Sequence, residues 1–264
     1  MTKSPLRYPG GKSRAADFLS GLLPHFDEYR EPFVGGGSVY FHLRQKFPSA
    51  LYKINDKYRE LFLFWKMMQQ NSRDVIAQIY SWRSQFPIGK PLHRFLVDNM
   101  TRFDEIQTAA AFFVFNRITF SGTTQSGGFS EQAFTGRFTD SSIKRLQGID
   151  ALLAGTSITN LDYQEIVEEN GNNVVMFLDP PYFSATKSAL YGKNGKLHTS
   201  FDHHRFAQVM KHSKHQWLIT YDNSPFIREL FQFANIKEWN LVYGMRNVTK
   251  LNSQIGKELC ITNF

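Results

Sequence analysis

Asp179-Pro180-Pro181-Tyr182 sets a carboxylate, a rigid carbonyl and an aromatic ring side by side. Two consecutive prolines remove two backbone N–H donors and fix two φ angles. The Pro180 carbonyl is left as a rigid acceptor next to the Asp179 carboxylate. Two acceptors so placed can grip both hydrogens of an amino group carried on an aromatic ring. The lone pair of such an amino group is delocalised into the ring and is a poor nucleophile. Gripping both hydrogens favours a pyramidal nitrogen whose lone pair can point at a methyl donor. The Tyr182 ring can stack on the base that carries the amino group. Pro181 completes the turn, and the candidate catalytic group is Asp179, Pro180, Pro181 and Tyr182.

Three further elements carry chemistry. Gly35-Gly36-Gly37 lets the backbone turn tightly and approach a ligand closely. Asp56 follows Gly35 by 21 residues, the separation, roughly 20, of a glycine loop from an acid that holds ribose hydroxyls. The spacing does not match the G-x-G-x-x-G dinucleotide fingerprint, which argues against a dehydrogenase. Asp162 is the third element, at the end of the strand Ser157 to Leu161.

These groups need strands to position them. The pattern predicts a helix from Ser13, as N-cap, to Leu23, a strand over about Glu28 to Val34, and a helix over Ser38 to Gln45. It predicts strands over Leu51 to Asn55, Ser157 to Leu161, Val174 to Leu178, Gln216 to Tyr221, Lys237 to Tyr243 and Glu258 to Asn263. The continuous apolar run Val174 to Leu178 reads as a strand buried on both faces. Asp56, Asp162 and Asp179 each end a strand, and open α/β sheets bind ligands beyond those ends. Between about 57 and 144 the texture is helical, with apolar residues at helical spacing in Leu61 to Met68, Val75 to Trp82 and Thr108 to Phe115. The fold class is therefore α/β, a mostly parallel sheet over 1–56 and 145–264 with an inserted, mainly helical domain over 57–144.

Over 264 residues, 31 Lys+Arg stand against 23 Asp+Glu, a net charge of +8. That balance favours an anionic partner such as nucleic acid. The insertion carries a net +4, from 11 basic and 7 acidic residues. The single cysteine, Cys260, excludes an internal disulfide framework and a cysteine zinc site. No apolar run is long enough to span a membrane, and a reducing cytoplasm fits. Five histidines lie between His198 and His215. His203 and His204 would point apart on a helix, and the lysines and arginines around them read as a solvated or DNA-facing basic surface. No metal is expected at these histidines.

Six stretches, in order, give the chain a resemblance to the Dam-type (D12 class) DNA adenine-N6 methyltransferases. They are Arg7-Tyr8-Pro9-Gly10-Gly11-Lys12, Glu31-Pro32-Phe33-Val34-Gly35-Gly36-Gly37-Ser38, Ile54-Asn55-Asp56, Asn116-Arg117, Leu161-Asp162-Tyr163 and Asp179-Pro180-Pro181-Tyr182. The resemblance implies a Rossmann-like methyltransferase sheet with S-adenosylmethionine as methyl donor. Tyr8, Lys12, Phe33 to Gly37, Asp56, Asp162 and Tyr163 would surround that cofactor, with Asp179 at its edge. Asp179 and Pro180 would hold the amino group of an adenine flipped out of double-stranded DNA, with Tyr182 stacked on it. Arg7, Asn116 and Arg117 would contact DNA, and the insertion would read the sequence.

The Gly-rich stretch Ser121 to Gly128 is flanked by Arg117 and Arg137, which suit phosphate contacts. Dam enzymes that modify GATC have an arginine where this chain places Gln125. Arginine suits bidentate contact with guanine and glutamine suits adenine, so the resemblance implies adenine methylation without extending to GATC. A restriction endonuclease sharing the site is a further expected partner, with no complex required. Two other readings use the same residues. One is methylation of cytosine N4, an RNA base or a protein amide, and the other a catalytically inactive DNA-binding regulator. Retained S-adenosylmethionine binding separates the enzyme from the regulator.

Overall fold

Proline ends the first strand of the sheet. The expected strand from Glu28 to Val34 stops at Glu31, because Pro32 offers no N–H to the ladder. The computed structural model describes residues 2–8, 10–120, 128–185, 201–241 and 256–264. Among these, seven strands form one sheet: β1 (Glu28–Glu31), β2 (Leu51–Asn55), β3 (Ser157–Thr159), β4 (Val174–Leu178), β5 (Gln216–Asp222), β6 (Asn235–Leu241) and β7 (Gly256–Thr262). Their order is β3-β2-β1-β4-β5-β7-β6. β1 to β5 run parallel, and β7 lies antiparallel between β5 and β6. The mixed sheet is Rossmann-like.

From β1 the chain moves outward to β2 and β3, then returns to β4 on the other side of β1. This reversal opens a crevice at the carboxyl ends of β1 and β4, where open α/β sheets bind ligands. Register pairs Glu28 with Val174 and Arg30 with Met176. The glycine loop after β1 and the Asp179 turn after β4 therefore face each other across that crevice.

β1 itself has the sequence Glu-Tyr-Arg-Glu, yet Tyr29, Arg30 and Glu31 are buried. The polar groups are satisfied internally, as burial requires. Arg30 pairs with Glu28 at 2.6 Å and donates to the carbonyls of Ile166, Glu169 and Asn170. Glu31 accepts from the Tyr29 hydroxyl at 2.7 Å. β4, apolar and fully buried, matches its expected bounds.

On one side of the sheet lie α1 (Ala16–Leu22), α2 (Ser38–Lys46) and the inserted helices α3 (Arg59–Gln70), α4 (Ser72–Gln85), α5 (Gly89–Asn99), α6 (Glu105–Ile118), α7 (Glu131–Arg137) and α8 (Asp140–Lys144), followed by α9 (Ile149–Leu153), with α4, α5 and α7 packed on α6. Leu61, Phe64 and Trp65 of α3 and Phe112 of α6 join Tyr29, Tyr52 and Ile54 of the sheet in one apolar core. Insertion and sheet thus share a core. The opposite face packs α10 (Tyr163–Glu168), α11 (His203–His212) and α12 (Pro225–Leu230) over Val174, Met176, Trp217 and Tyr221. α1 begins at Ala16 without a side-chain cap, because residues 13–15 make a turn in which the Ala15 N–H bonds the Lys12 carbonyl. Ser13 is therefore not its cap.

Candidate active site

A pocket of about 410 Å³ occupies the crevice, within the range of small-molecule sites. Its floor is the glycine loop. Gly35 and Gly37 hold φ of +47° and +67°, in the left-handed region. A Cβ on Gly35 would lie 2.8 Å from the Tyr8 ring, and one on Gly36 would lie 2.8 Å from the Tyr8 Cβ. Glycine is thus needed so that Tyr8 can close over the loop. Trp65 donates its indole N–H to the Gly35 carbonyl at 3.1 Å, tying the insertion to the pocket floor.

Asp56 accepts from the Gly35 and Tyr58 N–H groups, each at 3.0 Å. Burial nonetheless raises its carboxyl to about 6. Asn55, buried beside it, holds three loops together. Its amide donates to the carbonyls of Pro32 and Leu161 and accepts from the Leu161 N–H at 2.8 Å. Asp162 is brought close by this staple and caps α10 in a capping box with Glu165. Arg205 donates to Asp162 at 3.1 Å and lies over the Tyr163 ring. Phe33, Tyr163 and Phe201 form an aromatic wall, with Phe33 and Tyr163 centroids 5.4 Å apart. The Tyr163 hydroxyl is buried with no hydrogen-bond partner among the described residues. The glycine floor, the Asp56 carboxylate, the aromatic wall and this orphaned hydroxyl fit a nucleoside-bearing ligand such as S-adenosylmethionine.

Asp179 stands on the other lip of the crevice, at the end of β4. Both of its oxygens accept from the Lys12 ammonium at 2.8 Å, and Oδ1 also accepts from the Thr220 hydroxyl at 2.7 Å. Lys12, 3 % exposed, also donates to the Tyr182 hydroxyl at 3.0 Å and to the Gly10 carbonyl at 3.1 Å. One ammonium therefore orients both the carboxylate and the ring. Lys12, expected around the cofactor, lines the pocket and also reaches Asp179. Glu258 of β7 is buried, 4.0 Å from the Lys12 nitrogen, and shares a hydrogen bond with the Tyr182 hydroxyl. Burial raises the Glu258 carboxyl to about 7 and the Glu31 carboxyl to about 8. Burial also pushes the Tyr182 phenol well above its ordinary value.

The sequence reading gave no role to Glu31, Asn55, Thr220 or Glu258. For Glu258 a signal existed: a single carboxylate heads the otherwise apolar run Leu259-Cys260-Ile261. Thr220 had none, since a threonine suits any strand.

The expected DNA contacts divide. Asn116 is fully buried, and its amide clamps the Arg7 backbone, accepting from the Arg7 N–H at 3.0 Å and donating to the Arg7 carbonyl at 2.6 Å. It positions Arg7 and presents no exposed surface of its own. Arg117, expected as a phosphate anchor, is 2 % exposed. It donates to the Pro5 carbonyl and lies over the Phe113 ring, because α6 is buried on all sides from Thr108 to Ile118. Arg7 and Arg137 are half-buried, and Arg145 beside them is exposed. Gln125 lies outside the described residues, as do His198, Lys187, Lys193, Lys196 and Tyr243. His203 and His204 both lie against the Phe226 ring; His204 is exposed, whereas His203 is buried against the Tyr221 hydroxyl and so does not belong to a solvated surface.

A sheet of this order, binding its ligand where β1 and β4 part and presenting paired acceptors across the gap, defines a Rossmann-like methyltransferase. The sequence belongs to the D12 class of N6 adenine-specific DNA methyltransferases, whose family profile matches residues 8–245. The chain is similar to the type II methyltransferase M.MjaIII of Methanocaldococcus jannaschii, with 24% identity over 259 residues covering 88% of this chain and 89% of that one. A DNA N-6-adenine-methyltransferase of Escherichia phage P1 is 26% identical over 262 residues, covering 89% of this chain and 32% of that longer protein. A type II methyltransferase of Lactococcus lactis subsp. cremoris is 24% identical over 283 residues, covering 98% of this chain and 94% of its own.

Proposed function

We propose that the chain performs its family's reaction with Asp179, Pro180 and Tyr182 holding the target adenine and with S-adenosylmethionine as methyl donor. The observation that carries this reading is the shared grip of Lys12 on Asp179 and Tyr182, opposite the glycine floor. The Asp179 carboxylate and Pro180 carbonyl accept the two amino hydrogens and free the nitrogen lone pair for attack. Tyr182 supplies the stacking face. Adenine N6 is held in the base pair and stack of duplex DNA, where its lone pair is not accessible for attack on a methyl donor, so the base must be flipped into the pocket. When bound, S-adenosylmethionine supplies the activated methyl group, held by Gly35 to Gly37, Asp56, Phe33, Asp162 and Tyr163. Positioning of the two reactants supplies much of the catalysis.

The helical insertion, 57–144, is the part that reads DNA; Gln125 and Arg137 within it, together with Arg7 of the N-terminal segment, are the contact candidates. The chain works on DNA in the cytoplasm. It stands as the modification partner of an endonuclease that reads the same site, with no complex required.

Asp179→Ala is expected to abolish methyl transfer in a tritiated-methyl assay while circular dichroism stays unchanged. Turnover near that of the wild type would remove Asp179 from the mechanism. Sequencing DNA from expressing cells by a methyladenine-sensitive method gives the modified base. Cytosine as that base would favour the N4 alternative.

A further inference from the structure

We propose that Glu258 is a positioning residue for methyl transfer, acting through Lys12 on the Asp179 acceptor and through the Tyr182 hydroxyl on the stacking ring. The inference rests on the methyltransferase reading of the Asp179 site. The ammonium has three hydrogens to give. Four oxygens lie within 3.1 Å of it: both of Asp179, that of Tyr182 and the Gly10 carbonyl. Glu258 stands behind them at 4.0 Å, 1 % exposed. Lys12 is thus shared between two carboxylates, and what one draws the other loses.

The direction of the effect follows from charge. A neutral Glu258 leaves Lys12 to neutralise Asp179. An ionised Glu258 takes part of that charge, so Asp179 presents more negative charge to the amino hydrogens. Hydrogen bonds to a full charge are about twice as strong as those to a neutral group. The ionised Glu258 also accepts more strongly from the Tyr182 hydroxyl and fixes the plane on which the base stacks. The groups facing Glu258 are Lys12 from the N-terminal loop, Asp179 and Tyr182 from the turn after β4, and Asp222, its register partner on β5. On β6 its partner is the non-titrating Trp239, and Cys260 follows it on its own strand, facing Lys237. Burial raises the Glu258 carboxyl to about 7, so the change of state falls within the pH range of assay.

The test is the pH profile of kcat at saturating cofactor and DNA, measured on the full chain with a tritiated methyl donor. The wild type should show a limb rising through pH about 7. E258Q should lose that limb, with kcat at alkaline pH reduced on the order of tenfold. Its affinity for S-adenosylhomocysteine should stay within about twofold of the wild type, because Glu258 acts on the acceptor group and not on the cofactor. E258D keeps the charge and should keep the limb at a displaced midpoint. A flat wild-type profile, or an unchanged limb in E258Q, overturns the proposal. Should E258Q fail to fold by circular dichroism, E258D decides: a displaced midpoint supports the proposal and an unmoved one overturns it. Absence of methyl transfer by the wild type at every pH would instead overturn the reading on which the proposal rests.

Discussion

Asp56 meets two demands at once. It receives the Gly35 and Tyr58 N–H groups, which fixes the glycine loop, and it retains lone pairs for a ligand's hydroxyls. Loss of charge-assisted bonds to two ribose hydroxyls removes roughly 1.5–3 kcal/mol apiece. Asp56→Ala is therefore expected to weaken S-adenosylhomocysteine binding by at least tenfold in calorimetry, with DNA affinity unaltered. An unchanged constant takes Asp56 out of the site. A pH signature accompanies this. The folded carboxyl is raised to about 6 by burial, and the ligand hydroxyls favour its ionised form. Affinity should therefore fall as pH drops through about 6. In Asp56→Asn that dependence should vanish.

At the scale of elements, β1 carries a large local electrostatic cost. Glu31 is fully enclosed, and burial holds its carboxyl up at about 8 against an ordinary 4.5. The folded protein therefore binds a proton that the unfolded chain has released. For a raised carboxyl, this contribution to stability is fully present below the unfolded value and is lost as pH rises towards the folded one. Unfolding free energy should decline from pH about 4.5 to about 8. Glu31→Gln keeps an acceptor for the Tyr29 hydroxyl and removes that decline. The variant should gain about 1–3 kcal/mol over wild type at the alkaline end, relative to its value at the acid end. Urea titrations at both pH values measure this, and parallel pH dependences in the two proteins would refute it. β1 also shows where sequence stops being legible. The apolar run of β4 announces a buried parallel strand by itself. Glu-Tyr-Arg-Glu does not, because Arg30 is made soluble in the core by carbonyls at 166, 169 and 170, more than a hundred residues away. The same holds at the site. Asp179 and its prolines are contiguous and readable, whereas the Lys12, Thr220 and Glu258 that surround Asp179 come from three distant segments. Arg117 misled for a local reason: its place beside a Gly-rich loop suggested exposure, while α6 is buried on every side from Thr108 to Ile118.

Over the whole molecule, which carries a net charge of +8, four arginines, Arg7, Arg117, Arg137 and Arg145, gather beside one another. Arg7 and Arg117 both feel Arg137 and Arg145 as unfavourable neighbours, and burial together with these charges lowers Arg117 to about 9. Such mutual repulsion is relieved by an anion, and the phosphate backbone of DNA is the anion that this family engages. The arginines divide by exposure. Arg137 is half-buried and Arg145 exposed, so both can meet phosphates. Arg117 spends its guanidinium on the Pro5 carbonyl and the Phe113 ring, and through that contact fixes the segment that bears Arg7. Phosphate contacts position a protein without reading sequence. Each one adds about 0.9 to the slope of log affinity against log salt. Arg137→Ala should therefore weaken binding to all DNA sequences alike and reduce that slope by about 1, with the melting temperature nearly unchanged. Arg117→Ala should do the reverse. It empties a buried cation's place and leaves a carbonyl without its donor, a loss of about 1–3 kcal/mol of stability, while its salt slope stays that of the wild type. Fluorescence anisotropy across a salt series, paired with thermal melts, separates the two. If Arg117→Ala flattens the salt dependence and Arg137→Ala does not, the division of these arginines between fold and DNA is the wrong way round.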